Sequence, residues 1–179
     1  MTSLAFTDVK KYLRYEDADT SNDSTISLIV DAGQRYIENY TGHILVQREV
    51  VESLTTFPVA RVTGEVPYHD LRWKPYVDDS LEVGYLDGDY ATQTFADVTL
   101  YPHSGTTRVI PTSAWPGEYL GVTFTYTAGY ATAADVPDDL ILALAVFTSM
   151  TDEERCAPES AGWMALDRIL TPYRLPVLA

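Results

Sequence analysis

The sequence predicts an α+β protein in which helices at both ends of the chain flank an inserted antiparallel β-domain, sandwich or barrel-like. Three observations carry this. Apolar residues between Ser24 and Thr41 recur at threes and fours; the period drops towards two between Ile44 and Tyr126; a helical repeat returns after Pro137. The switch is sharpest at Tyr126-Thr127-Ala128-Gly129-Tyr130, where Val122 to Tyr126 alternates as a strand does and Gly129 supplies a turn residue. Val136-Pro137-Asp138-Asp139-Leu140 then opens a long apolar run. Proline suits the first turn of a helix, because its missing N–H would be unpaired there anyway.

At the N-terminus, Thr7 is placed to cap a helix whose Val9, Tyr12 and Leu13 share one face, with Lys10, Lys11 and Arg14 towards its negative end. A polar, turn-rich run from Glu16 to Ser24 follows. Asp23 or Ser24 then caps a longer helix with Ile26, Ile29, Val30, Gly33, Tyr36, Ile37 and Tyr40 as its core stripe, and Gly42 ends it. Strand candidates are Ile44 to Leu54, Tyr76 to Tyr85, Phe95 to Tyr101 and Val122 to Tyr126, separated by Pro58, Pro67, Asp87-Gly88, Ser104-Gly105 and Pro116-Gly117.

The last third is helical again. Leu140, Ile141, Leu144, Ala145, Phe147 and Thr148 form a broad apolar face, and Asp138 and Asp139 sit at the positive end of the helix dipole. Asp152-Glu153-Glu154-Arg155 ends or exposes that helix. A shorter one from about Ala161 to Leu170 offers Trp163, Leu166, Ile169 and Leu170 for packing, and Pro172 stops it. Pro172 cannot continue the helix and Pro176 disfavours it at Leu175, so the end of the chain reads as an extended arm. The chain therefore divides into N-terminal helices (1–43), an inserted β-domain (44–126), C-terminal helices (127–172) and the arm (173–179).

With 179 residues, 46% of them hydrophobic, the chain can bury one real core without disulfides or metals. The single cysteine, Cys156, cannot bridge internally. No stretch reaches the roughly 20 apolar residues of a membrane span, and the N-terminus lacks the features of a signal peptide. Synthesis in a reducing cytoplasm follows. A protein that grips DNA phosphates clusters Lys and Arg on one face, whereas this chain carries 12 basic against 26 acidic residues. Direct DNA binding is disfavoured. The acids are spread, with 7 in 1–43, 11 in 44–126 and 8 in 127–179, which suits a soluble surface or a conduit that does not hold the duplex.

The motifs of enzymes are missing. His43, His69 and His103 are far apart, and there is no His-Glu-x-x-His, paired-cysteine, phosphate-loop or Gly-x-Ser-x-Gly pattern. A spatial triad using Ser104 beside His103 stays open. Asp87-Gly88-Asp89 reads as a turn, since nothing after it supplies the further oxygen ligands of a calcium loop. No cofactor or metal is expected. Asn22-Asp23-Ser24 and Asn39-Tyr40-Thr41 match the glycosylation pattern but read as a cap region and a helix end. Thirteen Tyr and three Trp leave a carbohydrate-binding β-module of a tail or adhesion apparatus as the alternative function. Trp73, Trp115 and Trp163 are dispersed, however, which favours cores and protein contacts.

Four motifs in order, Thr7-Asp8-Val9-Lys10-Lys11-Tyr12-Leu13-Arg14, Tyr40-Thr41-Gly42, Tyr126-Thr127-Ala128-Gly129-Tyr130 and Leu170-Thr171-Pro172-Tyr173-Arg174, resemble the head-tail connector (adaptor, head-completion) proteins of tailed phages and gene-transfer agents. The resemblance implies a small bundle of the terminal helices with the β-domain projecting from it. It also implies a ring of twelve copies beneath a portal protein, with a stopper or tail terminator below and the capsid as a further candidate contact. The protein would be made in the host bacterial cytoplasm and end at the head-tail interface of the virion, with no sequence-specific nucleic acid binding, no membrane and no enzymatic activity. Tyr173, Arg174, Leu175, Pro176, Val177 and Leu178 are the expected portal-docking residues, Tyr and Arg as interface anchors and the aliphatic side chains for burial.

Overall fold

The computed structural model describes residues 6–14, 20–60, 65–153 and 161–174. Glu16 to Asp19, Arg61, Cys156 and the arm residues Leu175, Pro176, Val177 and Leu178 lie outside them. The chain forms two compact units, one built from residues 1–46 and 130–179, the other from residues 47–129.

The first unit contains helices α1 (Phe6–Tyr12), α2 (Asp23–Thr41), α3 (Asp138–Glu153) and α4 (Ala161–Leu170). α3 packs against the other three, as its nearly all-round apolar sequence requires. Val9, Ile26, Val30, Ile37, Leu45, Leu140, Leu144, Leu166 and Leu170 are buried in one cluster, each aliphatic side chain contributing about 1.5–3 kcal/mol on leaving water. Gly33 sets the approach of α2 to α3: a Cβ there would lie 2.7 Å from Phe147 Cδ1 and 2.9 Å from Leu144 Cδ1.

The helix starts differ from expectation. Thr7 lies inside α1, which begins at Phe6. Asn22, without a side-chain cap bond, occupies the N-cap of α2. Asp23 is drawn away by Lys10, whose buried ammonium sits 2.8 Å from its Oδ1. Pro137 precedes α3, and its carbonyl accepts the N–H groups of Leu140 and Ile141.

The second unit holds seven strands in two antiparallel sheets. β1 (Arg48–Leu54), β7 (Gly121–Ala128), β3 (Glu82–Leu86) and β4 (Thr92–Thr94) form one sheet in the order β1-β7-β3-β4; β2 (His69–Asp70), β6 (Thr106–Pro111) and β5 (Val98–His103) form the other in the order β2-β6-β5. Neither sheet closes into a barrel. β7 is central to its sheet and alternates cleanly, burying Val122, Phe124, Tyr126 and Ala128. Phe124 stacks at 4.4 Å on the ring of His69, joining the sheets. A second nucleus surrounds Phe57, stacked on Trp115 at 4.7 Å and edged by Tyr85 and Tyr119.

The expected strand from Ile44 begins only at Arg48, because Ile44 and Leu45 are buried and the Leu45 N–H is held by the Glu38 carboxylate at the end of α2. Asp87-Gly88-Asp89 is the β3–β4 turn. The Asp87 carboxylate accepts bonds from Gln93 Nε2 (2.9 Å) and from the N–H groups of Ala91 (2.9 Å) and Asp89 (3.0 Å). Those bonds, Gln93's foremost, hold its pKa below the usual value.

Candidate docking site at the root of the C-terminal arm

The ends of three of the four motifs, Tyr40-Thr41-Gly42, Tyr130 and Thr171 to Arg174, meet in the helical unit. The first comes from the end of α2. Gly42 takes a left-handed conformation (φ 74°) and its N–H donates to Glu38 O at 2.8 Å, a geometry glycine adopts without strain. Thr41 Oγ1 donates to Ile37 O (2.8 Å) and accepts the His43 N–H (3.1 Å), which fixes the backbone that carries His43.

The second arrives from β7. Gly129 (φ 115°) turns the chain, its N–H bound to Pro75 O at 2.8 Å. Tyr130 follows, its ring nearly parallel to that of His43 (4° between planes) and its hydroxyl 2.9 Å from His43 Nδ1. Burial, and then the neighbouring Tyr173, push the Tyr130 phenol up to about 12.

The third is the end of α4. Thr171 to Tyr173 form one 3₁₀ turn after Leu170, which is how Pro172 ends the helix. Tyr173 sets its ring against His43, edge to face at 5.5 Å, and donates its hydroxyl to Asp139 Oδ2 at 3.2 Å. Burial, reinforced by Asp139, raises its pKa. The Arg174 guanidinium lies 5.3 Å from the centre of the Tyr40 ring, a cation–π distance. The Tyr40 hydroxyl donates to Asp167, and that bond is the main cause of its raised pKa. Tyr40, Tyr130 and Tyr173 are therefore neutral hydrogen-bonding groups at ordinary pH. The cluster offers rings, donors and carboxylates, and what it does is hold the turn after α4 against the end of α2 and the start of α3.

Sequence reasoning singled out Tyr173 and Arg174 and missed the partners His43, Tyr40, Tyr130 and Asp139. The clue was available in the motifs themselves, because Tyr40-Thr41-Gly42 and Gly129-Tyr130 each end one residue from, or on, a member of this cluster.

A second polar constellation lies in the β unit. Glu52 Oε2 is 2.9 Å from His69 Nε2, and Oε1 accepts the Arg72 N–H (2.8 Å) and the Tyr126 hydroxyl. The Tyr126 oxygen in turn accepts the Trp73 N–H at 3.0 Å. Burial acts to raise the Glu52 pKa, but the bonds from His69, Tyr126 and Arg72 outweigh it and the net shift is downward. Burial, with Glu52 opposite, raises the Tyr126 phenol strongly. These bonds tie β1, β2 and β7 to one another and to the segment that follows β2.

His103 and Ser104 sit at the β5–β6 turn, both exposed, with Ser104 at φ 47°. His43 belongs to the helical unit, and His69 is bonded to Glu52. Within the β unit, His69 lies opposite Val109 on one edge of β6 and His103 opposite Thr106 on the other. Among the described residues no group of three or more His, Cys, Asp or Glu is arranged to hold a metal, and no helix is long and apolar enough to cross a membrane. Trp163 packs on Tyr36 and Phe147, Trp115 on Phe57 and Phe95, and Trp73 carries the Arg72 guanidinium at 4.6 Å.

No family model and no curated protein matches the chain. Solved structures do. The fold is similar to that of a chain in the neck of an empty gene-transfer-agent particle computed with C6 symmetry, with a TM-score of 0.80 and 19% identity over 99% of this chain and 93% of that one. A chain in the virion of a native gene-transfer-agent particle gives 0.80 and 20% over the same shares. One in the neck of a native particle computed with C12 symmetry gives 0.72 and 19%, over 99% of this chain and 92% of that one.

Proposed function

We propose that this chain is a structural head-tail connector, or adaptor, of a tailed phage or phage-like particle. Twelve copies form a ring beneath the portal and join it to the next neck or tail component, a stopper or tail terminator, along the path of the DNA. The observation that carries the reading is the likeness of fold to neck chains, which extends over 99% of this chain and so includes both the helices and the β insert. The arm from Tyr173 onward is the portal dock. Burying Leu175, Val177 and Leu178 would contribute roughly 1.5–3 kcal/mol each before the ordering costs of binding are subtracted. The portal holds neighbouring copies in place, so weak contacts between subunits suffice once each copy is docked. The acid excess leaves the bore without a grip on phosphate.

The test is to mix the purified chain with the portal ring of the same particle and image the product. A twelve-fold ring under the portal is expected, lost on deleting residues 173–179 although the truncated chain stays folded. Absence of any association between the full chain and the portal would sink the reading, and a continuous Lys/Arg belt around the bore would refute its electrostatic part.

A further inference from the structure

We infer that the tip of the β3–β4 turn, built on Tyr90, is the surface by which the β unit docks the next neck or tail component, and that this partner presents Lys or Arg around an apolar socket. The inference rests on the connector role proposed above. It supplies the second surface that such a role needs, since the portal dock proposed there begins in the helical unit. Tyr90 is 77% exposed, and two more exposed large apolar side chains, Leu86 (38%) and Leu120 (50%), belong to the same end of the sheet, where the Leu120 N–H donates to Leu86 O at 2.8 Å. Exposed apolar residues standing singly are ordinary, but three at one end of a small sheet mark a contact surface.

The backbone here is held where a bulky residue does not go by itself. Tyr90 has φ 63°, a left-handed conformation that is strained for a residue with a Cβ and free for glycine, and at Gly42, Gly105 and Gly129 the chain does use glycine for positive φ. The turn is fixed from several sides. The Tyr90 N–H donates to Asp87 O (3.1 Å), the Asp87 N–H donates to Ala91 O (3.0 Å), and the Asp87 carboxylate accepts bonds from Gln93, Ala91 and Asp89. A strained residue kept in so determined a turn, with its ring in water, adds little to the stability of the isolated chain. The surrounding charge identifies the partner. Asp89 and Glu118 are both exposed, and a Cβ at Gly88 would lie 4.0 Å from Glu118 Oε2, so an acid stands on each side of the turn. Residues 75–107 contain six acids and no Lys or Arg. The complement is a basic protein surface. DNA is repelled, and a second copy, with 26 acids to 12 bases, is a poor match.

The test uses the full chain with the purified portal ring and the purified next component of the same particle, binding being measured by calorimetry. Tyr90→Gly should raise the midpoint of thermal unfolding, followed through Trp73 and Trp115, by about 4 °C. It should weaken binding of the next component about tenfold or more and leave portal binding unchanged. Tyr90→Asn, which also suits the left-handed conformation, should weaken binding in the same way and guards against a loosened turn in the glycine variant. Raising salt from about 0.05 to 0.5 M should weaken binding by the native chain, and do so less in a double variant, Asp89→Asn with Glu118→Gln. Equal salt dependence in the two proteins would overturn the basic partner. Unchanged affinity in both Tyr90 variants, or a loss of stability in both, would overturn the docking role of Tyr90. If the native chain binds the portal but not the next component, the inference fails and the portal dock stands; if it binds neither, the connector reading fails with it. Retention of the native chain on an immobilised neutral polysaccharide, lost in Tyr90→Gly, would assign the tip to a glycan and sink the inference.

Discussion

In the helical unit the buried set is aliphatic, with Val9, Ile26, Val30, Ile37, Leu140, Leu144, Leu166 and Leu170 in one cluster. In the β unit the largest fully buried side chains, Phe124 and Tyr126, are aromatic, and each is tied to a polar group: Phe124 to the His69 ring, Tyr126 to Glu52. An aliphatic cluster on four helices is non-directional and can relax around a small change. A unit of two small open sheets depends on ring geometry and on the hydrogen bonds that converge on Glu52, so its failures should be local and steep.

The largest effect expected from this contrast is at Phe124. Phe124→Ala removes the ring that spans the sheets and should cost about 3–5 kcal/mol. Denaturant unfolding monitored through Trp73 and Trp115 for the β unit, and through Trp163 for the helical unit, reads the two separately. A loss confined to the β-unit signal sustains the comparison, while equal loss in both signals means the units unfold as one and breaks it.

Next comes the polar network. Tyr126→Phe keeps the ring but leaves the Trp73 N–H and the Glu52 carboxylate each short of one partner, at a cost of about 1–3 kcal/mol by denaturant unfolding. Acid probes the same group. The Glu52 pKa is lowered in the folded state, so its contribution is fully present above the ordinary carboxylate value of about 4.5 and is lost as pH falls through the lower folded value. The β-unit midpoint should therefore drop below about pH 4.5 in the native chain and drop less in Glu52→Gln, which has no charge to lose. A parallel acid response in the two proteins would remove Glu52 as the cause.

The smallest effect is at Gly42, where alanine would have to adopt φ 74°. A cost of about 1–2 kcal/mol is expected, read in the Trp163 signal. No change there would mean that the turn carrying His43 relaxes freely, and the aliphatic unit would be more plastic still.

Local signals were legible and long-range ones were not. α4 lies at Ala161–Leu170 as the pattern predicts, Gly42 ends α2, and β7 extends the alternation of Val122 to Tyr126 by a residue or two at each end. These features depend on period and on one turn residue. β6 escaped because Thr106-Thr107-Arg108 shows no apolar alternation; Arg108 is held there by a bidentate pair with Asp70 and by the Tyr68 ring, 38 and 40 positions away. β2 and β4, at two and three residues, are too short to show a period. The same limit applies to the site. Pro172 announced that Tyr173 and Arg174 leave the helix, but nothing local could bring His43, Asp139 and Tyr40 to them, since they come from three other stretches of the chain.

The pairing of β1 with β7 bears on how the chain is made. α1 and α2 leave the ribosome well before α3, the helix they need, and the intervening residues 47–129 would cost on the order of 4 kcal/mol to close as a flexible loop. Arg48 is partnered with Ala128, so once the β unit has folded its entry and exit run side by side on neighbouring strands. Being continuous in sequence, it can complete itself first. What the late helices then meet is a pair of adjacent chain ends, and the long closure has become a short one: the insert acts as a splint that returns the second half of the bundle to the first.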